Sequence, residues 1–266
     1  MAGVVLSELS LEDLQRLPSG QRELAILPVG SLEQHGPHLP LGTDTLCAEA
    51  LARLLAERTG GTVLPALPFT WTGGTRAYPV AINISNRVVI GMLESLFDAV
   101  RRAGFARLAV VNWHGGSGSS LRIAVREYFC RTGWPVVALK PRSGIEAHKR
   151  LSQRLKGNDR EASCVLGSLI VLGQGHLVEP LMQRLAEAAA EFEGQRVTED
   201  FAGLAALHAV GLVGHDYAHE CRHVFPTLRV DPQAGLEYLR GWADYLAPAV
   251  EALGRFQQEL AGGGGA

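Results

Sequence analysis

The chain has 266 residues, of which 47% are hydrophobic and 20% are charged, and its formal net charge is −2. This composition is typical of a globular protein that is long enough to build a layered core. The nearly balanced charge argues against a nucleic-acid or membrane partner. Because no apolar stretch reaches the roughly 18 residues of a membrane span, and the N-terminal residues lack a signal-peptide pattern, we expect a cytoplasmic protein.

Four short apolar runs are predicted to be β-strands buried on both faces, because their hydrophobicity is nearly continuous instead of alternating. They span residues 23–29, 62–67, 107–113 and 135–140. Amphipathic stretches of helix length separate them, at residues 45–61, 86–105 and 119–133. The second of these helices is predicted to start at Asn86, a good N-cap, and to stop at Gly104. Strand alternating with helix predicts an α/β fold, a three-layer sandwich with a mainly parallel sheet between helices.

The second half of the chain has a weaker pattern. Helices are predicted at residues 143–156 and 161–193, with an interruption of the latter at the Gly-Gln-Gly of 173–175 and at Pro180. A closing helix is predicted over residues 233–256, with a kink at Pro248. Since there is no internal repeat and no linker-like segment, we expect one domain over residues 1–260, followed by a flexible glycine-rich tail at 261–266.

Two polar clusters are predicted to lie at one edge of the sheet. The segment VGSLEQHGPHLPLGTD, residues 29–44, directly follows the first predicted strand and contains Glu33, His35, His38 and Asp44. His114 directly follows the predicted strand at 107–113. Because ligand sites in parallel α/β sheets collect at the carboxyl ends of strands, we expect the two clusters to come together.

Imidazole and carboxylate side chains in this position suggest a metal site. In an extended segment alternate side chains share a face, so Glu33 and His35 are expected to approach one ion together. Asp44 follows a turn rich in proline and glycine, from which its carboxylate could bridge two ions. Such a ligand set suits zinc, manganese or iron. The alternative is a group of solvated or core histidines, and His38, which alternation turns away from the others, is expected to be structural or to support the ligands.

Two segments resemble the creatininase family of metal-dependent amidohydrolases: LPVGSLEQHGPHLPLGTDT, residues 27–45, and VVNWHGG, residues 110–116. The family shows G-S-x-E-Q-H-G-P-H-L-P-L-x-T-D in the first segment and N-G-H-G-G-N, or a variant, after its third strand. The resemblance covers roughly the first 175 residues in order. It implies a parallel-dominated sheet, a centre with two divalent ions, hydrolysis of C–N bonds in small cyclic or linear amides, and a homo-oligomer.

The family's metal ligands can be carried over position by position. Four ligand positions are matched, by Glu33, His35, Asp44 and His114, and the family pattern makes Asp44 the bridging ligand. In creatininase proper a further glutamate ligand follows, but here that position is Gly116. Glu161, within KGNDREAS (156–163), matches the glutamate of a second family motif, H-A-G-x-x-E-T-S, and is the candidate fifth ligand. Its alternative role is that of a first-turn glutamate favoured by the helix dipole.

The proton donor for the leaving nitrogen departs from the family pattern. Lys156 stands where the family has the histidine suited to that role. We therefore expect Lys156 to act as the acid or as a fixed charge that binds an anionic substrate group. His148, two helical turns earlier, is the alternative donor. A histidine cluster in 214–223 is another, although a plain polar loop is the simpler interpretation; it contains His215, His219 and His223.

These residues together predict a metal-dependent amidohydrolase in which a metal-activated water cleaves the C–N bond of a small polar molecule. A second hypothesis is a peptidase-like enzyme that trims a small modified peptide, and a binding face of aromatic residues would be its mark: Trp71, Tyr78 and Trp113. A third is a non-catalytic metal-binding scaffold. Trp113 and Ser117 replace residues common in the family, and both are expected on the pocket wall, where they would change the substrate.

Overall fold

The computed structural model describes residues 3–35, 38–75, 80–141, 158–191 and 229–262. Its centre is a sheet of five strands: β1 (Val4–Val5), β2 (Leu24–Val29), β3 (Thr62–Val63), β4 (Arg107–Asn112) and β5 (Val136–Leu139). Their order in the sheet is β1-β3-β2-β4-β5. Within the described ranges every pair of neighbouring strands is parallel, as the alternation of strand and helix predicts.

Seven α-helices accompany the sheet in the described part of the chain. They are α1 (Leu11–Arg16), α2 (Thr43–Thr59), α3 (Asn86–Arg102), α4 (Gly118–Thr132), α5 (Asn158–Val171), α6 (Val178–Glu191) and α7 (Pro232–Gly262). Single 3₁₀ turns lie at Leu6–Glu8, Ser19–Arg22, Gly73–Thr75 and Gly175–Leu177. None of these helices has the length and apolar composition that a membrane span requires.

The two faces of the sheet bury different sets of helices. Ile26 and Val111 point to one face, where they pack in a core with α2, α5 and α7. Leu27 and Val110 point to the opposite face, where they pack with α3 and α4. All six residues of β2 are therefore buried, which explains why the strand is continuously apolar. The predicted three-layer α/β/α sandwich is confirmed.

The register of the two central strands places the functional segments side by side. β2 and β4 pair over six residues, and the last pair is Val29 with Asn112. The amide of Trp113 continues this pattern by donating to the Val29 carbonyl at 3.1 Å. The chain after β2 and the chain after β4 thus leave the sheet at the same edge, as predicted.

Several element boundaries differ from the sequence prediction. The strand predicted at 62–67 is reduced to the two residues of β3, since Pro65 has no amide hydrogen to donate to a neighbouring strand. Strand β1 at the sheet edge was not predicted, because two valines are too short a pattern. The N-cap of α3 is Ser85 and not Asn86, which is the first helical residue.

The second half follows the prediction where it is described. The predicted helix 161–193 is divided into α5 and α6 at Gly173, whose φ of 73° lies in the left-handed region that favours glycine. Pro180 does not break the second helix because it lies in the first turn of α6, where proline is tolerated. The closing helix α7 contains Pro248 and extends to Gly262. The helix predicted at 143–156 falls outside the described residues.

Helices α5 and α7 approach each other so closely that a glycine is needed between them. A Cβ atom at Gly235 of α7 would lie 1.8 Å from the carbonyl oxygen of Ser163 in α5. The hydroxyl of Ser163 accepts a hydrogen bond from the amide of Asp231 at 3.0 Å. These contacts hold the first turns of α5, which include Glu161, against the core.

Candidate metal centre

The described residues between β2 and α2 are held together by hydrogen bonds. The amide of Glu33 donates to the Leu41 carbonyl at 3.1 Å, and the Thr45 hydroxyl donates to the Ser31 carbonyl at 2.8 Å. At Gly30 the loop touches α2 so tightly that a Cβ atom would lie 2.4 Å from the amide nitrogen of Thr45. The loop thereby places the side chain of Glu33 next to the first turn of α2, which contains Asp44.

Three side chains form a first group that could hold a metal ion: Glu33, Asp44 and His114. The Nδ1 atom of His114 lies 2.7 Å from Asp44 Oδ2 and 3.0 Å from Glu33 Oε1. All three residues are buried. Glu33 comes from the loop after β2, Asp44 from the first turn of α2 and His114 from the loop after β4, so the parallel register of β2 and β4 brings this group together.

A second group consists of His35, Asp44 and Glu161. The Nε2 atom of His35 lies 3.6 Å from Asp44 Oδ1 and 3.9 Å from Glu161 Oε1. Glu161 lies in the first turn of α5, and its side chain remains 34% exposed. The position of Glu161 is therefore compatible with both predicted roles, since it lies in the first turn of a helix and also beside the other candidate ligands.

Glu33 and His35 do not belong to one group, contrary to the expectation from alternating side chains. Residues 31–35 have no strand structure, so the two-residue alternation of a strand does not apply to them. Asp44 is common to both groups, and each of its oxygens faces a different one: Oδ2 lies near His114 and Oδ1 near His35. This geometry suits a bridging carboxylate.

Backbone carbonyls orient both imidazole rings. The Nε2 atom of His114 lies 3.0 Å from the Trp71 carbonyl oxygen, and the Nδ1 atom of His35 lies 3.2 Å from the Glu33 carbonyl oxygen. Because a carbonyl only accepts, each of these nitrogens must carry the hydrogen in the neutral ring. The bare nitrogen of each neutral ring then points toward the carboxylates, which is the arrangement usual for a metal-ligating histidine.

Hydroxyl groups contact the carboxylates of the first group. The Ser31 hydroxyl lies 2.8 Å from Asp44 Oδ2 and 3.2 Å from Glu33 Oε1. The Thr75 hydroxyl donates to Glu33 Oε2. Sequence reasoning missed both residues. Ser31 could have been found inside the family motif, whereas nothing around Thr75 signals its role.

Ser117 has a structural position and not the predicted one on a pocket wall. It is fully buried, and its hydroxyl donates to Asn112 Oδ1 at 2.7 Å. The Asn112 amide group in turn donates to the His114 carbonyl at 2.9 Å. Ser117 and Asn112 therefore hold the turn that carries His114. Trp113 is half-buried, with its ring packed edge-on against Tyr238 at a centroid distance of 6.4 Å.

Of the remaining predicted residues, the structure describes His38 and Trp71. His38 is buried, and neither ring nitrogen has a hydrogen-bond partner among the described residues. Burial lowers the pKa of His38, so a neutral imidazole is favoured. Trp71 is half-buried beside His114. Several residues lie outside the described ranges: Tyr78, His148, Lys156, His215, His219 and His223.

The clustered charges shift the pKa values of the site. Burial alone would lower the pKa of His35, but the hydrogen bond and charge of Asp44, with the charges of Glu161 and Glu33, raise it to about 9. For His114, burial is likewise outweighed by the hydrogen bonds and charges of Asp44 and Glu33, which raise the pKa to about 10. Burial would raise the pKa of Asp44, but its hydrogen bonds to the two histidines hold it well below the usual range. In the absence of metal the two imidazoles are therefore protonated at neutral pH and neutralise part of the charge of the carboxylates.

The metal-free protein should lose thermal stability as the pH rises through the pKa values of these histidines. The folded-state pKa values of His35 and His114, about 9 and about 10, exceed the ordinary histidine value of 6.5. The contribution of these two histidines to the free energy of unfolding is therefore fully present below about pH 6.5 and is lost as the pH rises through about 9 and 10. We expect the melting temperature of chelator-treated protein to fall by at least about 5 °C between about pH 7 and about pH 10.5.

Differential scanning fluorimetry at closely spaced pH values would measure this effect. Protein loaded with a divalent ion is the control, because the ions then replace the imidazole protons and the same fall should be much smaller. Parallel curves for the two preparations would contradict the assignment of protons to this cluster.

The donor set fits divalent cations. Five side chains provide two imidazoles and three carboxylates, which zinc, manganese and iron accept. Bond lengths of about 2.1 Å to a tetrahedral ion separate its ligands by roughly 3.4 Å. The distances between donor atoms across the two groups, from 2.7 to 3.9 Å, bracket that value. Two divalent ions would also offset the charge of three carboxylates.

The fold and this site define a class of protein, an α/β/α sandwich with a candidate two-ion centre at the carboxyl edge of its parallel sheet. The chain belongs to the creatininase family, since the family model described as creatinine amidohydrolase matches residues 7–219. A solved creatininase variant of the Zn-Zn type has the same fold, with a TM-score of 0.69 and 20% sequence identity over 95% of this chain and 98% of that one.

Two curated relatives differ in the activity that their names state. A mycofactocin precursor peptide peptidase from Mycobacterium ulcerans (strain Agy99) is 38% identical over 46% of this chain and 52% of its own length. A creatinine amidohydrolase from Pseudomonas putida is 28% identical over 42% of this chain and 45% of its own length. The chain thus spans about half the length of these relatives in the matched regions.

Proposed function

We propose that this protein is a hydrolase that uses two divalent ions to cleave an amide C–N bond in a small polar molecule. The observation that carries the proposal is the position of Asp44, whose two carboxylate oxygens face two separate ligand groups. A single ion would need only one of these groups. Membership of the creatininase family supports the same reaction class.

The two groups assign the ligands of each ion. Glu33, Asp44 and His114 would hold the first ion, and His35, Asp44 and Glu161 would hold the second. When bound, such ions lower the pKa of a water molecule and polarise a carbonyl group, which are the two requirements for hydrolysis of an unreactive amide. Zinc, manganese and iron are the candidates, and creatininase structures with this fold that are named for Zn-Zn and for Mn support zinc and manganese alike.

The chain's own residues would prepare the site in three ways. Burial of Glu33 and His114 keeps bulk water from competing for the ligands. The Trp71 carbonyl keeps the His114 ring in one tautomer and one orientation. Glu161, whose side chain is 34% exposed, would be the candidate ligand most accessible to a substrate. For protonation of the leaving nitrogen we propose Lys156, with His148 as the alternative.

A second candidate function is the removal of residues from a small modified peptide. The peptidase from Mycobacterium ulcerans, at 38% identity, favours this possibility. Trp71 lies at the site with its ring half-buried and could contact a peptide side chain. Trp113 is half-buried with its ring edge-on to Tyr238, and Tyr78 lies outside the described residues, so Trp71 is the aromatic residue whose contact with the site carries this possibility.

The test is a comparison of substrates on one preparation of metal-loaded protein. Creatinine, formylated aminopyrimidines and other small amides would be assayed beside short peptides, with chelator-treated protein as the blank. Metal-dependent release of product from a small amide is the expected result. Hydrolysis of peptides alone would favour the second function. Two bound ions with no hydrolysis of any compound would favour a metal-binding scaffold.

Glu161→Gln is expected to weaken the binding of one ion and not of the other. The substitution keeps the shape of the side chain but removes its charge, and Glu161 belongs only to the second group. A loss of at least about 10-fold in affinity for one equivalent should appear in a calorimetric titration with zinc.

Glu179→Gln is the matched control, since Glu179 is an exposed glutamate in the first turn of α6 and shares only the favourable position at the start of a helix. Titration curves of Glu161→Gln that coincide with those of Glu179→Gln would reduce Glu161 to a helix-stabilising residue.

A further inference from the structure

One short segment makes two hydrogen bonds to the first ligand group. Residues 70–75, here called the threonine segment, contain the Trp71 carbonyl that accepts from His114 Nε2 at 3.0 Å. They also contain the Thr75 hydroxyl, which donates to Glu33 Oε2. Glu33 and His114 are two of the three residues in that group. The threonine segment therefore contacts two of the three members of the first group.

The threonine segment is anchored independently of these contacts. The Thr70 hydroxyl donates to the Gly30 carbonyl at 2.8 Å, and the amide of Thr72 donates to Asn83 Oδ1 at 3.0 Å. The Thr70 carbonyl accepts from the amide of Ile84 at 3.0 Å. Because the segment is held by Gly30 and by residues 83–84, its contacts with Glu33 and His114 are pre-organised before any ion binds.

Two glycines make room for this arrangement. A Cβ atom at Gly116 would lie 2.5 Å from His114 Nε2 and 2.8 Å from the Trp71 carbonyl oxygen, too close to both atoms of the hydrogen bond that joins them. At Gly73 the φ angle is +56°, and a Cβ atom there would lie 2.5 Å from the Trp71 ring. The close contact between the threonine segment and His114 thus depends on the absence of side chains at both positions.

Thr75 has a specific effect on the Glu33 carboxylate. One oxygen, Oε1, faces His114 Nδ1 at 3.0 Å and is directed toward the ion position. The other, Oε2, is occupied by the Thr75 hydroxyl. A hydroxyl has a single hydrogen, and a carboxylate attracts it more strongly than the Thr72 carbonyl that also lies within reach at 3.1 Å. The Thr75 hydroxyl therefore fixes the carboxylate with Oε1 turned toward His114 and Ser31, on the side of the ion position.

We propose that Thr75 is a positioning residue that orients Glu33 to bind the first ion through Oε1 alone, while the Trp71 carbonyl orients His114 for the same ion. This inference rests on the proposed two-ion site. It also requires the effect to be selective, since Glu33 has no place in the second group. Removal of the Thr75 hydroxyl should weaken the binding of the first ion and leave the binding of the second unchanged.

Thr75→Val and Thr72→Val form a matched pair of variants. Both threonines are buried in the same segment, and valine has nearly the shape of threonine. Within the described ranges the Thr72 hydroxyl has no hydrogen-bond partner, so Thr72→Val removes a hydroxyl that none of these residues binds. Thr75→Ser keeps the hydroxyl and should restore the wild-type behaviour. Each metal-free protein would be titrated with zinc by calorimetry, and with cobalt while the visible absorption of the bound ion is recorded.

We expect Thr75→Val to lose about 10- to 100-fold in affinity for one equivalent, the usual effect of removing a group that orients a ligand. The affinity of Thr75→Val for the other equivalent should equal that of the wild type. Thr72→Val and Thr75→Ser should bind both equivalents with wild-type affinity. The cobalt spectrum should change only for the weakened equivalent. If Thr75→Val does not fold, Thr75→Ala removes the same hydroxyl without adding bulk and is measured against the same expectations.

Three results would overturn the inference: wild-type affinities for both ions in Thr75→Val, equal losses at both ions, or equal losses in Thr75→Val and Thr72→Val. A wild-type protein that binds fewer than two ions would instead contradict the proposed function itself. The two failures are therefore distinguishable in one set of titrations.

Discussion

Asp44→Ala is expected to remove nearly all bound divalent metal and, with it, hydrolytic activity. Asp44 contributes one oxygen to each ligand group, so its loss leaves each ion with two protein ligands from the five-residue set. We expect affinity to fall by more than about 100-fold at both positions, since even residues that merely orient a ligand account for about 10- to 100-fold. Elemental analysis after dialysis should find close to two ions per wild-type chain and close to none per variant chain.

Asp244→Ala is the control for this experiment. Asp244 lies on the exposed surface, in an ion pair with Arg58, and its side chain is 63% exposed. Its removal should leave the metal content unchanged. Retention of full metal by Asp44→Ala would show that Asp44 is not a ligand. Retention of one ion at wild-type affinity would show that Asp44 serves a single ion and does not bridge.

Gly235→Ala is expected to destabilise the protein by more than about 3 kcal/mol, a larger effect than most single substitutions have. The added Cβ atom would lie 1.8 Å from the carbonyl oxygen and 2.3 Å from the carbonyl carbon of Ser163. These are backbone atoms within α5, so they move only if the two helices separate. Such a separation would also displace the first turn of α5, and binding of the second ion through Glu161 should weaken.

Gly91→Ala is the matched control, because Gly91 is an exposed glycine within α3 and an added Cβ atom would contact nothing. There alanine should stabilise the protein by about 1 kcal/mol through its higher helix propensity. Urea unfolding followed by circular dichroism would measure both variants. A free energy of unfolding for Gly235→Ala within about 1 kcal/mol of the wild type would contradict the close approach of α5 and α7.

The class of fold and the place of the site were accessible from the sequence alone. Continuous apolar runs predicted β2, β4 and β5, and amphipathic stretches predicted α2, α3 and α4, because both patterns express burial along a local stretch of chain. The polar motif after β2 and His114 after β4 could be assigned to one sheet edge. Parallel strands of a single sheet end on the same side, whatever the details of their packing.

Only the tertiary structure decided how the site residues are grouped. Local alternation paired Glu33 with His35, whereas the folded chain places Glu33 with His114 and His35 with Glu161. The Thr75 hydroxyl reaches Glu33 across 42 residues of sequence. Periodicity reports which face of an element is buried, but a hydrogen bond between distant loops depends on where the backbone places each atom to within a few tenths of an ångström. That placement is set by the packing of the whole sandwich.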